Sequence, residues 1–176
     1  MSSLITVISS TNRPGSASLA VSRAYMHQLQ QLGQPAGLLS LETLPADFLK
    51  SDLYGKRSDE MRQIIETHIE GADKLVFVIP EYNGSYPGIL KLFLDGMPPR
   101  LLRDKKAGII GVSDGRAGNL RGQEHLTGVL HYLKVHVHYA KPKLSSIEEA
   151  LGKNGEITRD ETIRQLAEHA RLMIEF

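Results

Sequence analysis

Apolar and polar positions along the chain follow two rhythms. Three short β-branched runs, "LITVIS" at 4–9, "LVFVIP" at 75–80 and "AGIIGVS" at 107–113, are apolar at successive positions, which is how strands buried on both faces of a parallel sheet read. Two weaker runs, "AGLLSL" at 36–41 and "VHVHYA" at 135–140, bring the set to five, the last alternating as an edge strand does. Between the runs the period changes to that of a helix. Val21, Tyr25, Leu29 and Leu32 share one face, and Met61, Ile64, Ile65, His68 and Ile69 another, with Ser58 placed as N-cap and Gly71 as stop. Leu126, Val129, Leu130 and Leu133 form a third stripe. Ile163, Leu166, Ala167, Ala170 and Ile174 form a fourth, opened by a capping box from Thr158 to Glu161.

Strand and helix therefore alternate from end to end. That order predicts an α/β fold, a doubly wound five-stranded parallel sheet with helices on both faces, whose ligands sit beyond the carboxyl ends of the strands. At 176 residues the chain is long enough for one full core and short for two, so a single domain over 1–176 is expected. One helix departs from the one-faced pattern: near 88–101, Ile89, Leu92, Phe93 and Met97 lie on one stripe, while Leu90, Leu94 and Leu101 make the opposite side apolar as well. A helix apolar all round predicts burial on both sides, hence a homodimer or homotetramer.

Charge and composition then narrow the partners. A formal net charge of +1 supplies no basic field for nucleic acid. No apolar run approaches the ~18 residues of a membrane span, and no signal-like segment opens the sequence, so a soluble cytoplasmic protein is expected. With no cysteine, disulfides, thiolate metal sites and dithiol relays are excluded.

The candidate chemistry lies in three loops that a parallel sheet would open at one edge: "SSTNRPGSAS" at 9–18, "PEYNGSYPG" at 80–88 and "SDGRAGN" at 113–119. The first holds the hydroxyls of Ser9, Ser10, Ser16 and Ser18, the planar fork of Arg13 and the start of a helix. It reads equally as capping chemistry and as an anion site. The second has an Asn83-Gly84 pair that tolerates positive φ, with Tyr82 and Tyr86 as flat rings for a planar heterocycle. Neither GxGxxG after the first strand nor a Walker P-loop is present, so a dinucleotide fold and a nucleotide triphosphate site are unsupported.

Together, "SSTNRPGSAS", "PEYNGSYPGILK" followed by "LD", and "SDGRAGNLRGQEHL" resemble the NAD(P)H-dependent FMN reductases of the flavodoxin-like superfold, a group that includes bacterial quinone, azo and chromate reductases. The resemblance runs from about Leu4 to Tyr139. It implies a noncovalent FMN, NADPH or NADH as co-substrate, and a small electron acceptor such as a quinone or free flavin, used in a ping-pong scheme. By the same resemblance Ser10, Arg13, Ser16 and Ser18 would hold the FMN phosphate, and Pro80, Glu81, Tyr82, Asn83 and Gly84 would line the flavin edge. Ser113, Gly115 and Arg116 would form the third loop, with no side chain acting as general acid or base. Two departures stand out: Gly96 follows Asp95 where many relatives carry an aromatic, and Gly118-Asn119 replaces a frequent Gly-Gly pair.

Two other readings stay open at this point. A flavodoxin-like electron carrier would use an acidic surface, which 21 basic against 20 acidic residues do not supply. A non-catalytic module on the same fold would not need the first two loops intact. Elsewhere, His136 and His138 read as exposed edge-strand histidines rather than metal ligands, His68 as a core histidine, and His125 and His131 as helix-surface residues. The irregular segment 43–56 reads as a solvated loop, with a role as lid left open.

Overall fold

The structure, a computed structural model, describes residues 3–176. Its elements follow in the order β1 (Ile5–Ser9), α1 (Ala17–Gln31), β2 (Ala36–Ser40), α2 (Asp59–Ile65), β3 (Lys74–Pro80), α3 (Gly88–Gly96), β4 (Lys106–Val112), α4 (Leu120–Tyr132), β5 (His136–Val137), β6 (Lys143–Leu144) and α5 (Asp160–Glu175). All strand pairs are parallel, in the order β2-β1-β3-β4-β5, with β6 also on β4. This is the flavodoxin-like order, and it reverses between β1 and β3, so their carboxyl ends flank a crevice.

The successive apolar positions serve two cores. Ile8, Leu75, Phe77, Ile79 and Ile109 face one way, against Met61, Ile65, Phe93, Leu126 and Leu130 of α2, α3 and α4. Val7, Val76, Val78, Ile110 and Val112 face the other, against Val21, Tyr25, Leu166, Ala170 and Met173 of α1 and α5. A strand covered on both sides has no polar face to show, hence the unbroken apolar runs.

Several expectations need correction. The fifth strand is not continuous over 135–140. The chain pairs with β4 at His136–Val137, leaves it, and returns at Lys143–Leu144. In between, Ala140 N–H turns back to His138 Nδ1 (3.1 Å), and Pro142, which has no N–H, offers its carbonyl to Gly111 (2.9 Å). His138 is buried rather than exposed, stacked on Tyr139 and edge-on to Phe176. Leu32 lies just past the end of α1 and is exposed. Thr158 does not cap α5: the N-cap is Arg159, with no side-chain bond, and the Thr158 hydroxyl donates to Ala150 O (3.4 Å).

Helix α3 is covered from within the chain more than its composition suggests. Leu90, Phe93, Leu94 and Met97 are all buried, leaving Ile89 and Leu92 half-buried. Segment 43–56 is pinned through buried Phe48 and Leu53, and through Asp52, which accepts from the Ser58 amide (2.6 Å) and hydroxyl (2.9 Å) while Ser58 caps α2. It also explains Gly96. A β-carbon there would stand 3.0 Å from both the Leu53 carbonyl oxygen and its Cδ1, so an aromatic would require Leu53 to shift.

Candidate active site at the carboxyl edge of the sheet

The three loops meet. A cavity of about 340 Å³ is lined by Arg13, Ser16 and Ser18 from the first, by Pro80, Glu81 and Tyr82 from the second, and by Ser113 and Asp114 from the third, with Ile147, Glu148 and Leu151 closing one wall. A larger hollow of about 440 Å³ runs down α1 over Leu19, Ala20, Ala24 and Ile157, but it touches only the first loop.

The first loop ends at a helix terminus prepared for an anion. Ser16 caps α1, its hydroxyl accepting from Leu19 N (3.3 Å) and from Ser18 Oγ (3.0 Å). The amides of Ala17 and Ser18 precede the first intrahelical bond, as helix geometry requires, and make none among the described residues. Arg13 is exposed and has no ion pair among the described residues. Gly15 has φ +63°, with nothing within 4 Å of where a side chain would begin, which leaves backbone open to a ligand. Ser9 Oγ at the end of β1 is buried without a partner among the described residues. Ser10 lies outside the cavity, fully buried, its hydroxyl donating to Ile8 O (3.1 Å).

The second loop is a tight turn. Tyr82 and Ser85 pair through Tyr82 N to Ser85 O (2.9 Å) and Ser85 N to Tyr82 O (3.1 Å), which forces Asn83 (φ +53°) and Gly84 (φ +74°) into left-handed conformation. Their amides make no hydrogen bond among the described residues and are free to donate outward. The Tyr82 hydroxyl is 2.9 Å from Thr11 Oγ1, and Thr11 in turn accepts from Arg13 N (3.2 Å). Thr11 thus ties the two loops together. It stands in the quoted hydroxyl run, but only its partner 71 residues away reveals the role. Burial pushes the Tyr86 phenol up, against the pull of Lys91.

The third loop is tied to the second: Ser113 Oγ donates to Glu81 Oε2 (2.9 Å) and accepts from Gly115 N (3.1 Å). Gly115 and Arg116 are exposed and stand outside the cavity lining, as do exposed Asn83 and half-buried Gly84. Asn119, read above only as a departure from Gly-Gly, proves structural. Fully buried at φ +62°, it caps α4 by accepting from Gly122 N (3.1 Å) and donates through Nδ2 to Ile79 O (2.9 Å).

A family model described as NADPH-dependent FMN reductase matches residues 3–146. The chain belongs to this family. It is 32% identical over 130 residues to an NAD(P)H-dependent FMN reductase of Pseudomonas aeruginosa, 70% of each chain, and 34% identical over 124 residues to a 2-hydroxy-1,4-benzoquinone reductase of a Burkholderia species, 67% of each. Its fold matches that of FerB, a flavoenzyme NAD(P)H:(acceptor) oxidoreductase from Paracoccus denitrificans, with a TM-score of 0.78 at 22% identity, over 98% of this chain and 96% of that one. The residues present fit FMN. Helix-terminal amides and an arginine that have no partner among the described residues suit its phosphate, and the outward amides of a left-handed turn suit the polar edge of its ring.

Proposed function

We propose that the chain is an FMN-dependent oxidoreductase that takes hydride from NADPH or NADH and passes reducing equivalents to a small acceptor of the quinone or free-flavin type, one substrate after the other. The observation that carries this reading is the meeting of three loops around one cavity, in a chain of the FMN reductase family. FMN, when bound, supplies the two-electron chemistry. The protein's part is placement. Arg13, with Ser16, Ser18 and the α1 amides, binds the phosphate. Asn83 and Gly84 donate to the ring edge, Tyr82 is held in position by Thr11, and Ser113 and Glu81 brace the loops against each other. Ser10 supports the first loop from beneath through Ile8, and Gly115 and Arg116 border the open side.

Association into a homodimer or homotetramer belongs to the same reading. Its support is no longer Leu94, which lies in the core, but Tyr132, 88% exposed beside a groove of about 530 Å³ between α3 and α4. A cytoplasmic setting fits the absence of cysteine, and no helix among the described residues is long and apolar enough to cross a membrane. The test of the ordered scheme is steady-state kinetics with NADPH and NADH against a benzoquinone. Parallel double-reciprocal plots are expected, and intersecting plots would mean that both substrates bind together.

A further inference from the structure

Arg121 is the second residue of α4, where a cation opposes the helix dipole, and the first turn of that helix holds no acid to offset it. Among the described residues it forms no ion pair. Nor does it lie free of the site. Its Nη1 is 3.7 Å from where a side chain on Gly84 would begin, so the guanidinium rests on the Asn83-Gly84 turn. Four residues on, His125 Nδ1 and Ser85 Oγ are 2.9 Å apart. Helix α4 therefore holds the flavin-edge turn at two points, one of them an unneutralised planar fork. Nothing in the fold uses that charge: it caps no carbonyl and pairs with no carboxylate among the described residues.

We propose that Arg121 receives a phosphate group of the nicotinamide dinucleotide and sets the affinity for that co-substrate, leaving FMN to the first loop. The inference rests on the FMN reductase reading. A dinucleotide whose nicotinamide approaches the ring beside this turn carries a charged diphosphate bridge and, in NADPH, a further phosphate. A neutral quinone entering the same place carries no charge. A guanidinium fork at the rim matches phosphate oxygens bidentately and gives the quinone nothing to hold. Donor and acceptor can thus share one opening and still be bound by different residues. His125, through Ser85, is a positioning residue for the turn on which the fork rests.

The test is steady-state kinetics of the wild type, Arg121→Ala and Arg121→Lys, with NADPH and NADH against a neutral benzoquinone, alongside a fluorescence titration of FMN. In Arg121→Ala the KM for the nucleotide is expected to rise about ten- to a hundredfold, the loss of one charge-assisted contact. The limiting kcat, the KM for quinone and the Kd for FMN should stay at wild-type values, and Arg121→Lys should fall between. A larger rise for NADPH than for NADH assigns the fork to the extra phosphate, and equal rises assign it to the diphosphate; either supports the proposal. An unchanged nucleotide KM overturns it, as does a loss that falls on FMN or on quinone instead. If the wild type oxidises neither nucleotide, the FMN reductase reading itself fails. If the wild type turns over and Arg121→Ala matches it, only this inference fails.

Discussion

Asn119 is the residue whose replacement tests the construction of the site most sharply, because three separate costs meet on one buried side chain. Replacing it by alanine removes the cap on α4, about 1 kcal/mol for an exchange of this kind, and places a β-carbon residue without a compensating side-chain bond at φ +62°, worth about 1 kcal/mol more. It also takes the Nδ2 donor at 2.9 Å from the Ile79 carbonyl, which keeps its ladder partner on β4, and a hydrogen bond lost in this way costs about 0.5–1.5 kcal/mol. The total for Asn119→Ala is about 3 kcal/mol, or roughly 6–12 °C in Tm for a chain of this length. Glycine separates the contributions. Asn119→Gly is at ease at positive φ and loses only a few tenths of a kcal/mol as a cap, so it should cost about 1–2 kcal/mol, nearly all from the carbonyl. Urea unfolding of the apoprotein, with m-values compared, gives both numbers. If alanine and glycine cost the same within about 0.5 kcal/mol, the left-handed conformation is not what asparagine serves. If alanine costs less than about 1 kcal/mol, neither the cap nor the Ile79 bond contributes as described.

Three further outcomes are expected. Arg13→Ala should weaken FMN by about ten- to a hundredfold while leaving riboflavin, which lacks the phosphate, nearly unaffected; equal losses for both flavins would remove Arg13 from the phosphate. His169, bonded through Nδ1 to Tyr25 (3.0 Å), has its pKa pushed down to about 4 by burial and by His138. Its unfolded form therefore takes up a proton near pH 6.5 and its native form does not, so stability present above pH 6.5 is lost as pH falls toward 4. That loss is about 2 kcal/mol by pH 5 in urea titrations, and it should be absent in His169→Gln; an equal slope in both proteins would show that another group titrates. Tyr132→Glu should convert a wild-type dimer or tetramer to monomer in sedimentation without loss of helicity, and a wild type already monomeric at micromolar concentration would contradict the assembly.

The parallel sheet was legible because burial on both faces writes itself into consecutive positions: every residue from Leu75 to Ile79 is fully buried. That the three loops meet was legible from their place after strands of a parallel sheet, and their arginine, hydroxyls and Asn-Gly turn are the residue types that the proposed phosphate and flavin-edge roles call for. What escaped depends on partners far along the chain. Thr11 meets Tyr82, and His138 is covered by Phe176 and lies near His169 on α5, so local alternation at 135–140 described an edge strand where a later helix supplies the cover. Thr158 has the spacing of a cap, but its amide (2.8 Å) and its hydroxyl (3.4 Å) both donate to the Ala150 carbonyl. Arg121 and Asn119 sat inside a quoted motif, yet their roles follow only from the approach of α4 to the turn at Gly84 and to the carbonyl of Ile79.

The most direct measurement of the central claim is the visible spectrum of the FMN-loaded protein mixed anaerobically with NADPH or NADH and no acceptor. The account predicts that the flavin absorbance bleaches with at least one nucleotide, and that it returns when a benzoquinone is added under the same anaerobic conditions. A flavin that dithionite bleaches but neither nucleotide does would contradict the account, and would make the protein a carrier that receives its electrons from another source.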